Sequence, residues 1–254
     1  GTPAGILIRR YILKKYGISL PHYSVSIIRD KGIDKAAMRY LLSLYHPKQL
    51  LFVDGWIGKG AILNQLKKDM AAYPGVSPDI AALADPANVT KLCGTHEDIL
   101  IPSSCLNATV SGLISRTFYR EDIIGEGEFH GAIYYGELSD SDLSYAFIEA
   151  IEKEFTMENP MEEEAAKGLG IEEATEIARH FAVSDINFIK PGIGETTRVL
   201  LRRVPWKVLI GVGHEKDPSL AHIKKLAEEK GVPVESYPLK HYKSCGIIKK
   251  LADM

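Results

Sequence analysis

The chain has 254 residues, 45% hydrophobic and 25% charged, which suits one large α/β domain or two modest ones. A formal net charge of −2 argues against a nucleic-acid or anionic-membrane partner drawn by a global field. No apolar run approaches a membrane span, and three widely spread cysteines do not make a disulfide framework, so a cytoplasmic protein is expected.

The sequence opens on Gly1-Thr2-Pro3, with neither an initiator Met nor a signal-like segment, and is expected to begin inside a longer protein. Thr2-Pro3 predicts a helix start. Ile6, Leu7, Tyr11, Ile12 and Leu13 follow at helical spacing, and Gly17 predicts the stop. Residues 23–28 predict a strand and 34–45 a helix halted near Pro47. Residues 50–53 predict a buried strand that ends at Asp54; a loop with Gly55, Gly58, Lys59 and Gly60 follows, then a helix over 61–70. Residues 73–85 read as loop and short helix, 88–93 as a short strand, 104–113 as a helix, 115–122 as strand or ordered loop, and 139–155 as a capped helix. The acidic, aperiodic stretch 152–164 reads as a linker or mobile segment. A helix over 171–181, a basic stretch 190–203, a strand over 207–212, a helix over 220–229 and a strand over 232–237 complete the chain. Apolar strands alternating with helices predict an α/β fold with a mainly parallel sheet and helices on both faces. The expected division is a core over 1–189 and a C-terminal α/β portion over 190–254.

Two segments suit an anion. Gly1, Thr2 and Pro3 sit at one helix start, where unpaired N–H groups and the helix dipole favour negative charge. Gly58, Lys59 and Gly60 sit at another, with Lys59 adding an ammonium group. Asp54, at the strand end between them, can accept from sugar hydroxyls or hold the water shell of Mg2+. The spacing matches neither a P-loop nor a dinucleotide fingerprint, and each segment alone is also what an ordinary helix start looks like. Arg29 stands after a predicted strand, a place to meet a diphosphate. Arg116 and Arg198 are candidate phosphate clamps, and His214, after the strand 207–212, is a candidate general base. Cys93-Gly94-Thr95-His96-Glu97-Asp98 gathers a thiol, an imidazole and two carboxylates in six residues, which admits a local nucleophile–base pair, a substrate loop or plain structure. No Cys-x-x-Cys or His-Glu-x-x-His pair appears, which argues against a structural zinc site.

Gly1-Thr2-Pro3-Ala4-Gly5, residues 22–34 and 52–62, Gly192-Ile193-Gly194-Glu195-Thr196-Thr197-Arg198 and Tyr242-Lys243-Ser244-Cys245-Gly246 resemble the phosphoribosyltransferase-like proteins of bacterial tellurium-resistance and stress gene clusters. Part of that family also carries the label cysteine protease StiP. The resemblance implies a type I phosphoribosyltransferase core. Residues 1–5 would hold the diphosphate of phosphoribosyl pyrophosphate, and Asp54, Gly55, Gly58, Lys59 and Gly60 its ribose and 5-phosphate. Gly55 stands where a second acidic residue is usual, and Ile57 where threonine is. The implied activity is Mg2+-assisted transfer of the phosphoribosyl group to a small base-like acceptor, giving a nucleoside-like metabolite; a homodimer is compatible with it. Two alternatives stand beside it: a cysteine peptidase using Cys93 or Cys245 with a histidine, and a non-catalytic nucleotide-sensing or RNA-interacting protein.

Overall fold

Thr2-Pro3 does open a helix and Gly17 closes it, at a φ of 67° that glycine adopts without a Cβ clash. The computed structural model describes residues 1–28, 31–105, 108–114, 116–158 and 168–249. In chain order its elements are α1 (Thr2–Tyr16), β1 (Ile27–Ile28), β2 (Gly32–Ile33), α2 (Lys35–Leu44), β3 (Phe52–Trp56), α3 (Ala61–Met70), β4 (Ile80–Ala84), β5 (Cys93–Thr95), α4 (Pro102–Cys105), α5 (Ser144–Lys153), α6 (Leu169–His180), β6 (Ile189–Pro191), α7 (Gly192–Arg202), β7 (Lys207–Gly211), α8 (Ala221–Glu229), β8 (Val234–Tyr237) and β9 (Ser244–Ile247).

The chain forms two compact units that interleave along the sequence. One comprises Gly1–Gly55, Ala61–Ala81 and Leu106–Met161; the other comprises Trp56–Gly60, Ala82–Cys105 and Glu162–Met254. In the first, β1 and β2 pair antiparallel, Ile27 opposite Ile33. Buried Asp34 caps α2 by accepting from Ala37 N at 3.0 Å, and its other oxygen accepts from His130 N at 2.7 Å. Asp69 of α3 accepts from Ile33 N at 2.8 Å, and Arg10 of α1 pairs with Glu152 of α5.

The second unit is built on a four-stranded sheet in the order β6-β9-β7-β8. Alternation along β7 decides its layers. Leu209 packs with Ala174, Ile177 and Ala178 of α6 and with Ile189, Cys245 and Ile247. Val208 and Ile210 point the other way, into a cluster with Ile193 and Leu200 of α7 and Ile223 and Ala227 of α8. A helix layer therefore covers each face, and burying each such aliphatic side chain stabilises the fold by about 1.5–3 kcal/mol.

The expectation of a mainly parallel, phosphoribosyltransferase-type sheet is corrected by this topology. The α/β class stands, but the sheets are mixed. β7 and β8 are parallel, whereas β9 is antiparallel to both β6 and β7. Continuous apolar strands report burial on two faces, which is what 207–212 signalled; they do not report direction. The crossover through α8 makes β8 parallel to β7, and the return after Tyr237 brings β9 back in the opposite sense. β3, β4 and β5 form a three-stranded sheet in that order, with β4 and β5 parallel. β4 lies in a stretch that reads as loop and short helix from sequence, and within the predicted helix 104–113 the described residues hold the end of α4 and a short 3-10 turn at Ala108–Val110.

Candidate active site

The parallel pairing of β4 and β5 places their carboxyl ends together. Ala82 lies opposite Cys93 and Ala84 opposite Thr95, so the next residue of each strand, Asp85 and His96, emerges side by side. Gly94 permits the approach: a Cβ there would stand 2.9 Å from the carbonyl oxygen of Leu83. Asp85 then turns the chain. Its N–H donates to Thr95 O at 2.9 Å, its carbonyl accepts from Asn88 N at 2.9 Å, and its Oδ2 accepts from Val89 N and Thr90 N at 2.7 and 2.8 Å.

Three reactive side chains converge there. Cys93 Sγ stands 3.6 Å from His96 Nε2 and 3.7 Å from Nδ1, so the thiol is nearly equidistant from the two ring nitrogens. His96 Nδ1 lies 3.1 Å from the Asp85 carbonyl oxygen and 3.6 Å from Asp85 Oδ2. Asp85 is fully buried, and its Oδ1 has no hydrogen-bond partner among the described residues. Burial raises the Asp85 pKa, against the lowering effect of the Thr90 and Val89 N–H groups and of His96. Cys93 and His96 are half-buried and so within reach of solvent. Thiol and imidazole thus stand as a nucleophile and a base, with the Asp85 carbonyl oxygen in hydrogen-bond reach of Nδ1 and the Asp85 carboxylate just beyond it.

Asp98, two residues on, has a different task. Its buried carboxylate accepts from Ile193 N at 2.9 Å and from Lys243 N at 2.8 Å, tying this loop to the start of α7 and the approach to β9. Burial pushes its pKa up to about 6 despite those donors.

Residues 1–152 match the family described as tellurite-like stress resistance cysteine protease StiP. The cysteine protease StiP of Acinetobacter baylyi is 32% identical over 270 residues, covering 99% of this chain and 70% of that protein. The chain belongs to the StiP cysteine-protease family. Residues 168–250 also match a PELOTA RNA binding domain. No solved structure matches the chain.

StiP membership corrects the phosphoribosyltransferase expectation. Phosphoribosyl transfer, phosphoribosyl pyrophosphate and the base-like acceptor fall with it, and magnesium loses the argument that called for it. Of the two labels carried by the resembling family, the protease label is the one supported. The PELOTA match likewise overturns the argument against a nucleic-acid partner. That argument used the whole-chain charge, whereas residues 168–250 hold 14 Lys and Arg against 10 Asp and Glu.

The residues singled out in the sequence fall as follows. Asp54 Oδ1 accepts from Gly55 N at 2.7 Å and lies 3.4 Å from Gly1 N; Thr2 Oγ1 is 2.7 Å from Ser24 Oγ, and Pro3 is buried. Gly58 accepts from the Tyr242 hydroxyl at 2.7 Å through its carbonyl. Lys59 is 7% exposed; its Nζ donates to Ile189 O at 2.5 Å and pairs with Glu195 at 3.1 Å, an internal tie to α7. Gly60, at φ 77°, precedes α3. Arg116 is exposed, Arg198 is half-buried on α7, and His214 lies 3.5 Å from Asp217. Arg29 lies outside the described residues. Cys245 is wholly buried in the α6 cluster, and burial drives its thiol pKa far up. Sequence reasoning missed Asp85. Its signal was the Asp85-Pro86-Ala87-Asn88 turn after an apolar run.

Proposed function

We propose that the chain is a cysteine peptidase in which Cys93 is the nucleophile, His96 the general base and Asp85 the group that orients His96. The convergence of Cys93 Sγ on His96, with Nδ1 turned toward Asp85, carries this reading. The name of the 32% identical relative, cysteine protease StiP, supports it. The Asp85 carbonyl oxygen, 3.1 Å from Nδ1, fixes the tautomer in which Nδ1 bears the proton and Nε2 is free, and the carboxylate 3.6 Å away stabilises the ring once it is protonated. Nε2 takes the Cys93 proton as sulfur attacks the peptide carbonyl carbon. The C–N bond then breaks, the amine leaves with the proton held on Nε2, and water hydrolyses the thioester to free acid and thiol. A reducing cytoplasm suits a thiol used in this way, and no described helix is long and apolar enough to cross a membrane.

The test is hydrolysis of a fluorogenic peptide library by the full chain, with its reactive thiol mapped by a peptidyl electrophile and mass spectrometry. The label is expected on Cys93. Cys93→Ser is expected to lose on the order of 10⁴-fold or more in turnover, and Asp85→Asn, which keeps the carbonyl contact to Nδ1 and removes only the charge, to lose less, while Cys245→Ala remains active. Full turnover by Cys93→Ser would refute the assignment.

A second reading rests on the PELOTA match: residues 168–250 bind RNA. Their surplus of basic side chains supports it, since phosphate contacts supply most of the affinity for nucleic acid.

A further inference from the structure

The three side chains assigned to peptide hydrolysis also form a ligand set for a divalent metal ion. A ligand atom from each of Asp85, Cys93 and His96 lies within 4.8 Å of the other two. The donors are one thiolate sulfur, one imidazole nitrogen and one carboxylate oxygen, which suit borderline-soft Zn2+ and not Mg2+ or Ca2+. In a tetrahedral zinc site, bond lengths put sulfur and nitrogen about 3.5 Å apart, and nitrogen and oxygen about 3.3 Å apart. Cys93 Sγ is 3.7 Å from His96 Nδ1, and Nδ1 is 3.6 Å from Asp85 Oδ2. These two edges lie within a few tenths of an ångström of that geometry, and the third, from Cys93 to Asp85, is within 4.8 Å. The fully buried carboxylate keeps one oxygen, Oδ1, without a hydrogen-bond partner among the described residues. Such an oxygen is a group whose desolvation a cation would offset. The half-buried Cys93 and His96 leave a route for the ion from solvent.

We propose that this cluster binds one Zn2+ through Cys93 Sγ, His96 Nδ1 and an Asp85 oxygen, and that the ion reversibly silences the peptidase. The regulatory half rests on the peptidase reading above; the binding half does not. On binding, the Cys93 thiol releases one proton to solvent and a zinc–sulfur bond forms. His96 changes tautomer, its proton passing from Nδ1 to Nε2 by exchange with solvent, and Nδ1 becomes a ligand. The free thiol and the Nδ1–H tautomer that catalysis requires are therefore both absent while the metal is bound, so the bound and the catalytic states exclude each other.

Cobalt(II) is the probe, because a tetrahedral thiolate–cobalt site shows a sulfur-to-metal charge-transfer band and d–d absorption. Titrating the metal-free chain with Co2+ is expected to give this band at one equivalent, with Zn2+ displacing the cobalt. Cys93→Ser is expected to abolish the band. His96→Gln, which spares the buried turn, is expected to weaken cobalt binding by about tenfold or more. Hydrolysis is expected to vanish at one equivalent of Zn2+ and return with a chelator. No band at one equivalent, or a band that survives in Cys93→Ser, overturns the site. A stoichiometric band with unchanged or increased hydrolysis overturns the silencing. A stoichiometric band in a protein that cleaves no peptide with or without metal sinks the peptidase reading and the silencing with it, and supports the metal site.

Discussion

Cys93 and Cys245 are the same residue type in opposite surroundings. Cys93 sits at the solvent-reachable end of a short strand beside an imidazole. Cys245 is sealed in one of the two inner strands of a four-stranded sheet, where burial keeps its thiol protonated. Sequence alone leaves the two as equal alternatives, because reactivity depends on neighbours and burial. The Cys93–His96 half of the site was legible, since three residues of chain bring them together. Asp85 was not, because it arrives from the adjacent strand, and only the parallel register aligns it with His96. Glycine carries a second residue-scale lesson. Gly192 begins α7 at φ 80°, and a Cβ there would stand 2.5 Å from Trp56 Cζ2 and 3.0 Å from Asp98 Oδ1. Left-handed strain and overpacking add, so Gly192→Ala is expected to cost about 2–4 kcal/mol in urea unfolding. Gly213 has φ 89° with nothing within 4 Å of its Cβ position, so Gly213→Ala is expected to cost only the strain, about 1–2 kcal/mol. Equal losses in the two variants would show that contact with Trp56 and Asp98 adds nothing.

At the scale of elements, long periodic segments were the most legible. α3 runs over the predicted 61–70, and α1, α2 and α8 lie within a residue or two of the predicted ends. The misses have physical causes. β4 reads Ile80-Ala81-Ala82-Leu83-Ala84, nearly without the β-branched residues that mark strands, so the sequence reads there as loop and short helix. The direction of β9 depends on the chain's return path and leaves no local signature. The junction of α7 and α8 offers a test by pH. His222 Nε2 on α8 lies 2.7 Å from Thr197 Oγ1 on α7, and burial lowers the His222 pKa, partly opposed by a hydrogen bond with the Ser219 backbone. The folded state thus favours the neutral ring. Its contribution to stability is present above the unfolded value of about 6.5 and is lost as pH falls through the lower folded value. The urea midpoint is expected to drop on acidification below about pH 6.5. His222→Gln is expected to show a shallower drop over the same window. Identical pH profiles for the two proteins would remove His222 as a cause.

At the scale of the whole molecule, a net charge of −2 conceals an uneven distribution. Residues 168–250 carry 14 Lys and Arg against 10 Asp and Glu, so the remainder carries 17 against 23. One sum over the chain argues against nucleic acid; a sum over the PELOTA-matching segment does not. Within that segment, Lys207 and Lys249 stand 4.3 and 4.1 Å from the Trp206 ring centroid, a basic and aromatic grouping of the kind that holds unpaired bases and phosphates. If the full chain binds RNA through these charges, log affinity falls linearly with log salt, by about 0.7 per phosphate contact on a single strand. Lys249→Gln is then expected to weaken binding and flatten that slope by about 0.7, with little change in sequence preference. Lys207 also pairs with Glu235 at 2.5 Å, so its replacement is expected to change the slope less than that of Lys249. An affinity that does not vary with salt would mean that contacts other than these cations hold the RNA. A full slope in Lys249→Gln would move the phosphate path away from Trp206.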